Sequence, residues 1–204
     1  MAPPPGLVGS GSAVDLYWLP LGAGGVVVPR CGRAYERVAA LREHRPPRPL
    51  FHSALEVVHA GTRHVVEMAP EWSSSDPGRC VVAVGPVGLA ALGRSRLFRY
   101  EVRCWPGGVI PDVAWAVESP RRLGDDDAVA AQVLARVPTV PTPTWGRDEL
   151  GLGDMWNSNS VVAWLLATCG LDTTLAPPDG GRAPGWRAGL ALARLDGIGA
   201  ERAS

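Results

Sequence analysis

The residues with the clearest potential for chemistry form the run Asn157-Ser158-Asn159-Ser160, directly before the apolar stretch 161–166. A hydroxyl at the point where a loop becomes a helix lies beside free backbone N–H groups and the positive end of the helix dipole. This position suits a nucleophile, and Asn and Ser are equally the preferred caps of an ordinary helix. The run therefore predicts a helix start, with Ser158 as a candidate nucleophile or a plain capping residue.

Histidines lie in and around a predicted β-hairpin earlier in the chain. Two β-branched runs flank the glycine-containing turn 60–63, a pattern typical of a hairpin. Such a turn would place His59 beside His64 and leave His52 toward the far end of its strand. His52 and His64 would meet if the strands were offset or a third strand intervened, and the sequence leaves this register open.

Together the two motifs resemble the circularly permuted papain-like superfamily, the relatives of NlpC-type peptidases that include lecithin:retinol acyltransferase. Its members carry a catalytic His at the start of a strand, a second His about a dozen residues on, and an Asn-Cys motif at the start of a later helix. Here His52 and His64 match the first two positions, and Asn157-Ser158 matches the third, with serine in place of cysteine. The resemblance covers roughly residues 50–170.

The resemblance implies an α+β fold with a permuted papain-like core. An antiparallel sheet would pack against helices, with the histidine-bearing strands first and the helix that carries the nucleophile position last. Residues 13–175 would form this single domain. A flexible leader over 1–12 would precede it, and a Pro/Gly-rich loop with a short helical tail over 176–204 would follow.

The same resemblance implies hydrolysis or transfer of an acyl group at an amide or ester. Ser158 would attack, His52 would act as general base, and His64, or failing that Glu56 or Glu67, would orient the imidazole. Backbone N–H groups near the nucleophile would hold the oxyanion. The residues that would cap the helix or line that oxyanion hole are Asn157, Asn159 and Ser160.

Serine in place of cysteine leaves the function open. A thiol, with an ordinary pKa of about 8.5, is readily ionised by a neighbouring imidazole, whereas a serine hydroxyl needs a base and an oxyanion hole during attack. The domain would be a working hydrolase or acyltransferase, a slow one, or a module that keeps the cleft and binds a peptide, lipid or protein partner. The sequence identifies neither a small-molecule, peptide or lipid substrate nor an oligomeric state, and it indicates no cofactor.

Charge composition limits the kinds of partner to expect, and the apolar pattern limits the cellular compartment. The 204 residues carry 20 basic and 20 acidic side chains, which argues against a nucleic-acid partner because such proteins present a basic face. The longest acidic run, 125–127, precedes an apolar helical pattern and is interpreted as a helix cap rather than a metal site. No stretch is long and apolar enough for a membrane span, and the N-terminus lacks a signal peptide, so a cytoplasmic protein is expected.

The remaining cysteines, histidines and tryptophans receive ordinary structural interpretations. The four cysteines lack metal-ligand spacing and are expected to be buried thiols, and His44 and His59 are expected at the surface. Four tryptophans in periodic apolar segments are expected in the core: Trp18, Trp105, Trp115 and Trp164. Four in predicted loops could line a groove: Trp72, Trp145, Trp156 and Trp186.

Hydrophobic periodicity supplies the remaining elements. Beyond Ile110 the pattern changes from sheet to helix, with an extended Pro/Thr-rich stretch over 137–145. The predicted strands cover 14–21, 26–28, 80–84 and 97–105, besides the hairpin. The predicted helices cover 34–45, 128–134, 159–169 and 188–195.

Overall fold

The computed structural model describes residues 11–22, 36–73, 77–110 and 112–203. Over these residues the chain has the predicted α+β class, with six strands and four helices. The strands are β1 (Ala13–Pro20), β2 (Phe51–His59), β3 (Thr62–Pro70), β4 (Val81–Pro86), β5 (Arg99–Pro106) and β6 (Val117–Gly124). The helices are α1 (36–42), α2 (Asp127–Arg136), α3 (Ser158–Thr168) and α4 (Trp186–Ala203).

The strands form one open antiparallel sheet in the order β4-β5-β3-β2-β1-β6. One face packs against the helices, and its core joins apolar side chains of β1, β2, β3 and β5 to those of α2 and α3. The opposite face carries a smaller apolar cluster of Leu19, Ala54, Val65 and Ile110. We call these the helix face and the second face of the sheet. Since successive side chains of a strand point to opposite faces, each strand residue belongs to one or the other.

The β2–β3 hairpin forms, and the structure gives the register that the sequence left open. Ala60 and Gly61 both have positive φ, 48° and 73°, as required in the two-residue type I′ turn that matches strand twist. His59 therefore lies opposite Thr62, and His64 lies opposite Val57 rather than His59. A two-residue turn shifts the strand pairing by two residues compared with a four-residue turn over 60–63. Both turns leave the same side chains on each face, so the apolar pattern does not distinguish them.

The predicted change from sheet to helix beyond Ile110 misses one strand, because β6 returns to the sheet edge beside β1. Its sequence is largely polar, with Pro120 in its middle and two register shifts along the pairing. Edge strands tolerate proline and charge since one side faces solvent. Such a strand lacks the apolar alternation on which the prediction relied.

The helices follow their sequence signals closely. Asp126 caps α2 through the N–H of Ala128 at 2.6 Å, which confirms the capping interpretation of the acidic run. Helix α3 begins one residue before the predicted position, and its residues 159–166 are all buried. Helix α4 is longer than the predicted tail and packs along α3.

Exposure corrects two of the tryptophan expectations. Trp115, expected in the core, is 62% exposed, and Trp156, expected in a groove, is 2% exposed. Two further expectations, the strand over 26–28 and nearly all of the leader over 1–12, lie outside the described residues. No helix in the described part of the chain has the length and apolar character needed to cross a bilayer.

Candidate functional site

The start of α3 is held by a reciprocal capping box. Asn157 Oδ1 accepts from the N–H of Asn159 at 2.9 Å, and Ser160 Oγ accepts from the N–H of Asn157 at 3.0 Å. These bonds satisfy N–H groups that an α-helix cannot pair within itself. The structure therefore gives Asn157 and Ser160 the capping role that the sequence allowed.

Asn159 joins the helix start to the sheet. Its Nδ2 donates to the carbonyl oxygens of Phe51 at 3.0 Å and Pro184 at 2.8 Å, and its Oδ1 accepts from Ser53 Oγ at 2.9 Å. Asn159 and Ser53 are both 2% exposed. All of this side chain's bonds are thus made inside the protein, where an unpaired polar group is costly.

The segment before α4 docks onto the same run. Pro184 accepts from Asn157 Nδ2 at 2.8 Å, and Gly185 accepts from Ser160 Oγ at 2.8 Å. The carboxylate of Asp154 accepts from the N–H groups of Gly185 at 2.6 Å and Arg187 at 3.1 Å. The N-terminus of α4 is therefore already occupied by a carboxylate of the chain itself.

The side chain of Ser158 is the one member of the run that takes no part in this network. Ser158 is the first residue of α3 and is half-buried. Among the described residues, no hydrogen bond to its Oγ is found, whereas Asn157, Asn159 and Ser160 are each bonded through their side chains. The described residues thus provide this hydroxyl with neither a capping bond nor a hydrogen-bonded base.

The structure does not bring His52 to the start of α3. Phe51, Leu55 and Val57 belong to the core on the helix face, and Ser53 bonds Asn159 there. Alternation therefore sends His52 to the second face, with Ala54, which packs in the smaller cluster. The sheet lies between His52 and Ser158, and the β2 residue that faces the helix start is Ser53.

His64 lies on the helix face but far from the start of α3. Its register partner is Val57, four residues along β2 from Ser53, which corresponds to about 13 Å at the usual rise of a strand. Its Nδ1 is buried without a hydrogen-bond partner. His52 and His64 therefore lie on opposite faces of the sheet and do not form a pair.

Both acidic alternatives to His64 lie on the second face. Glu56 is directly opposite Asp15 in the β1–β2 register, and Arg63 bonds it at 3.4 Å. Burial raises the pKa of Glu56. Glu67 accepts from Arg103 at 3.3 Å, and burial raises its pKa as well, against the attraction of that guanidinium. Both carboxylates belong to ion pairs of the sheet, away from Ser158.

His52 is uncharged at neutral pH. Burial lowers its pKa from 6.5 to about 4, and the nearby carboxylate of Asp112 only partly opposes the shift. Desolvation disfavours the imidazolium because the charged form loses its hydration. The imidazole lies on the second face of the sheet, which carries the apolar cluster of Leu19, Ala54, Val65 and Ile110.

The shifted pKa of His52 predicts a loss of stability in acid. Below pH 6.5 the unfolded chain binds a proton at residue 52 that the folded chain does not bind until about pH 4, so the free energy of unfolding falls across that window. We expect a fall on the order of 2 kcal/mol between pH 7 and pH 5 in the wild type that is absent from His52→Gln. Urea unfolding at each pH measures it. The same replacement at exposed His44 should leave the wild-type pH dependence, and identical profiles for His52→Gln and the wild type would contradict the shift.

A cleft of about 270 Å³ opens beside the docking segment of α4. Its walls include the half-buried ring of Trp186, the guanidinium of Arg182 and the exposed Arg187. Arg182 is already bonded to Glu36 at 3.1 Å, whereas no side-chain bond of Arg187 is found within the described ranges. The described residues hold no group of three or more His, Cys, Asp or Glu side chains that could bind a metal ion.

Comparison with known proteins returns no match, whether with protein-family models, with curated proteins or with solved structures. The structure by itself defines an α+β fold with an open six-stranded antiparallel sheet and helices on one face.

Sequence reasoning missed the residues that complete the network around α3. These are Ser53, Asp154, Pro184, Gly185 and Gly189. One of them left a signal, since Gly189 lies inside the predicted helix 188–195, where glycine costs stability compared with alanine. A Cβ at position 189 would overlap the carbonyl oxygen of Ser160. This glycine therefore marks the close approach of α4 to α3.

Proposed function

We propose that this chain is a papain-like module without catalytic activity that binds a peptide or protein partner. The observation that carries the proposal is the identity of the sheet residue facing the start of α3. That residue is Ser53, bonded to Asn159 at 2.9 Å, and a neutral hydroxyl cannot act as a general base. A serine nucleophile requires such a base within hydrogen-bond reach.

The hydrogen bonds of the helix start also support a structural role. Its Asn and Ser side chains connect α3 to β2 and to the segment before α4. These bonds account for Asn157, Asn159 and Ser160 without any substrate. Folding alone is therefore enough to explain these three polar side chains.

The size of the cleft favours a short peptide over a lipid. Its volume of about 270 Å³ lies just below the range of roughly 300–1,000 Å³ that is usual for pockets that enclose a small molecule. An acyl chain needs a deep apolar cavity, and this cleft is open and lined by charged and apolar groups together. Trp186 offers an aromatic surface and Arg187 a cation to which the described residues provide no side-chain partner, and such groups often dominate binding of a protein segment.

A serine-directed phosphonylating probe tests the absence of catalysis. We expect a fluorophosphonate to leave Ser158 unlabelled at neutral pH, because no base lowers the barrier to its attack. Peptide mapping by mass spectrometry locates any label. The variant Ser158→Cys gives a second reading, since its thiol pKa should be the same with and without His52→Ala when the sheet separates the two residues.

The controls distinguish a slow enzyme from a binding module. Labelling of Ser158 that is lost in His52→Ala or His64→Ala would overturn the proposal and restore the hydrolase or acyltransferase interpretation. A thiol at position 158 whose pKa rises when His52 is removed would do the same. Replacement of Arg187 by Ala should change neither the labelling of Ser158 nor the thiol pKa of Ser158→Cys.

A further inference from the structure

Two of the cysteines lie opposite each other where the pairing of β4 with β5 starts. The N–H of Cys104 in β5 donates to the carbonyl of Cys80 at 3.0 Å, and the adjacent residues Val81 and Arg103 are register partners. The register shift of this pairing lies between Val81 and Ala83, so it does not separate the two cysteines. Cα atoms at directly opposite positions of antiparallel strands are usually about 4.5–5.5 Å apart.

An ion pair fixes the chain just before Cys80. Arg79 donates to both carboxylate oxygens of Glu101, at 2.8 and 2.9 Å, and Glu101 in β5 is 2% exposed. Two such parallel bonds hold a guanidinium in one orientation against a carboxylate. Cys80 is therefore held beside β5 twice, through the side chain of the preceding residue and through its own carbonyl.

The thiols differ in their access to solvent. Cys80 is exposed, whereas Cys104 is half-buried and packs against the core of the helix face. Cys169 is buried at the end of α3. The expectation of buried thiols is thus confirmed for Cys169 and wrong for Cys80, and Cys31 lies outside the described residues. An oxidant in solvent meets Cys80 before Cys104.

The side chains of Cys80 and Cys104 also interact electrostatically. Burial and, to a smaller extent, the charge of an ionised Cys80 raise the pKa of the Cys104 thiol to about 11. Such an interaction requires the two groups to be close, because charges are screened over roughly 10 Å in salt solution. Cys104 is therefore a protonated thiol at neutral pH, beside a more accessible cysteine.

We propose that Cys80 and Cys104 form a redox site, which a peroxide oxidises to a disulfide that links the start of β4 to β5. A disulfide requires Cα atoms about 4.4–6.8 Å apart, and opposite positions of an antiparallel pair provide this separation. The two positions are distant in sequence and are brought together by the sheet. The pair does not depend on whether Ser158 is catalytic.

The oxidation takes two steps, and each step releases one water. The thiolate sulfur of Cys80 attacks one oxygen of hydrogen peroxide, the O–O bond breaks, and the departing hydroxide takes up the proton that Cys80 lost, which leaves a sulfenic acid at Cys80. The sulfur of Cys104 then attacks the sulfur of Cys80. The S–S bond forms, the S–O bond breaks, and the hydroxide leaves with the Cys104 proton as water. Two electrons pass from the thiol pair to the peroxide, and a thiol reductant reverses the change.

Peptide mapping of the oxidised wild type tests this site. Trypsin cleaves after arginine, so Cys80 falls in the peptide 80–94 and Cys104 in the peptide 104–121, each without another cysteine. After treatment with equimolar hydrogen peroxide, we expect mass spectrometry without reductant to show these two peptides as one linked species. Dithiothreitol should separate them. Because the wild type is used, no variant has to fold.

Single variants test the order of the two steps. In Cys104→Ser the oxidation should stop at a sulfenic acid of Cys80, which dimedone labels, and in Cys80→Ser no such label should appear at Cys104. Cys169→Ser is the matched control and should form the link at the wild-type rate. A link from Cys80 to Cys31 or Cys169, a link between two chains, or a sulfenic acid that persists at Cys80 in the wild type would each overturn the proposal.

Thermal unfolding gives an independent measurement of the link. In the double variant Cys31→Ser/Cys169→Ser, oxidation should raise the melting temperature by about 5 °C or more, because a cross-link restricts the unfolded chain. The reduced form of the same variant is the reference, and dithiothreitol should restore its melting temperature. A melting temperature that falls on oxidation would also overturn the proposal, since the two positions would then lack the geometry of a disulfide.

Discussion

Gly189→Ala will lower the free energy of unfolding by about 3 kcal/mol, a cost typical of forcing atoms into a packed interior. Helices α3 and α4 approach so closely at this point that a Cβ would overlap the carbonyl group of Ser160. The obstacle is backbone, so no rotamer change can relieve it. Either α4 moves away from α3 or the docking bond from Ser160 Oγ to Gly185, 2.8 Å long, is lost. Urea or guanidinium unfolding followed by circular dichroism measures the change.

The same substitution elsewhere in α4 is the control. Gly197 is helical and exposed, and nothing lies within 4 Å of the Cβ position there. Gly197→Ala should therefore stabilise the chain by up to about 1 kcal/mol through the better helix propensity of alanine. Equal stabilities for the two variants would mean that α3 and α4 do not pack as described.

Asn159→Ala will cost about 3 kcal/mol of stability. The substitution removes three hydrogen bonds at a site that is 2% exposed, and it leaves the Phe51 carbonyl and the Ser53 hydroxyl without this partner. Each buried polar group left unpaired costs roughly 1–3 kcal/mol. The Pro184 carbonyl keeps its hydrogen bond from Asn157, so losing its bond from Asn159 leaves no further unpaired group. The measurement is again equilibrium unfolding.

Neighbouring positions of the same run provide graded controls. Asn157→Ala removes a helix cap and should cost about 1 kcal/mol. Ser158→Ala removes a hydroxyl for which the described residues provide no bond, so its effect should stay within about 0.5 kcal/mol. The order 159, then 157, then 158 is the expected result. A variant at 158 as damaging as that at 159 would show that Ser158 carries structural bonds after all.

Local chemistry determined several elements of this protein from the sequence by itself. The helix start at Asn157 follows from its capping residues, and the start of α2 follows from Asp126, because a cap acts within one turn. The hairpin follows from β-branched runs around a glycine. Each of these features depends on residues that are close together in the chain. The α+β class with an antiparallel sheet is instead what the family resemblance implies.

The tertiary structure alone decided which side chains meet. Both faces of β2 carry apolar residues, Ala54 on one and Leu55 on the other, so the pattern could not tell which face α3 would cover. A shift of one residue exchanges the two faces, and it is this choice that presents Ser53 rather than His52 to the helix start. The edge strand β6 and the docking of α4 through Gly189 were decided in the same way, by contacts between segments distant in sequence, which no local pattern encodes.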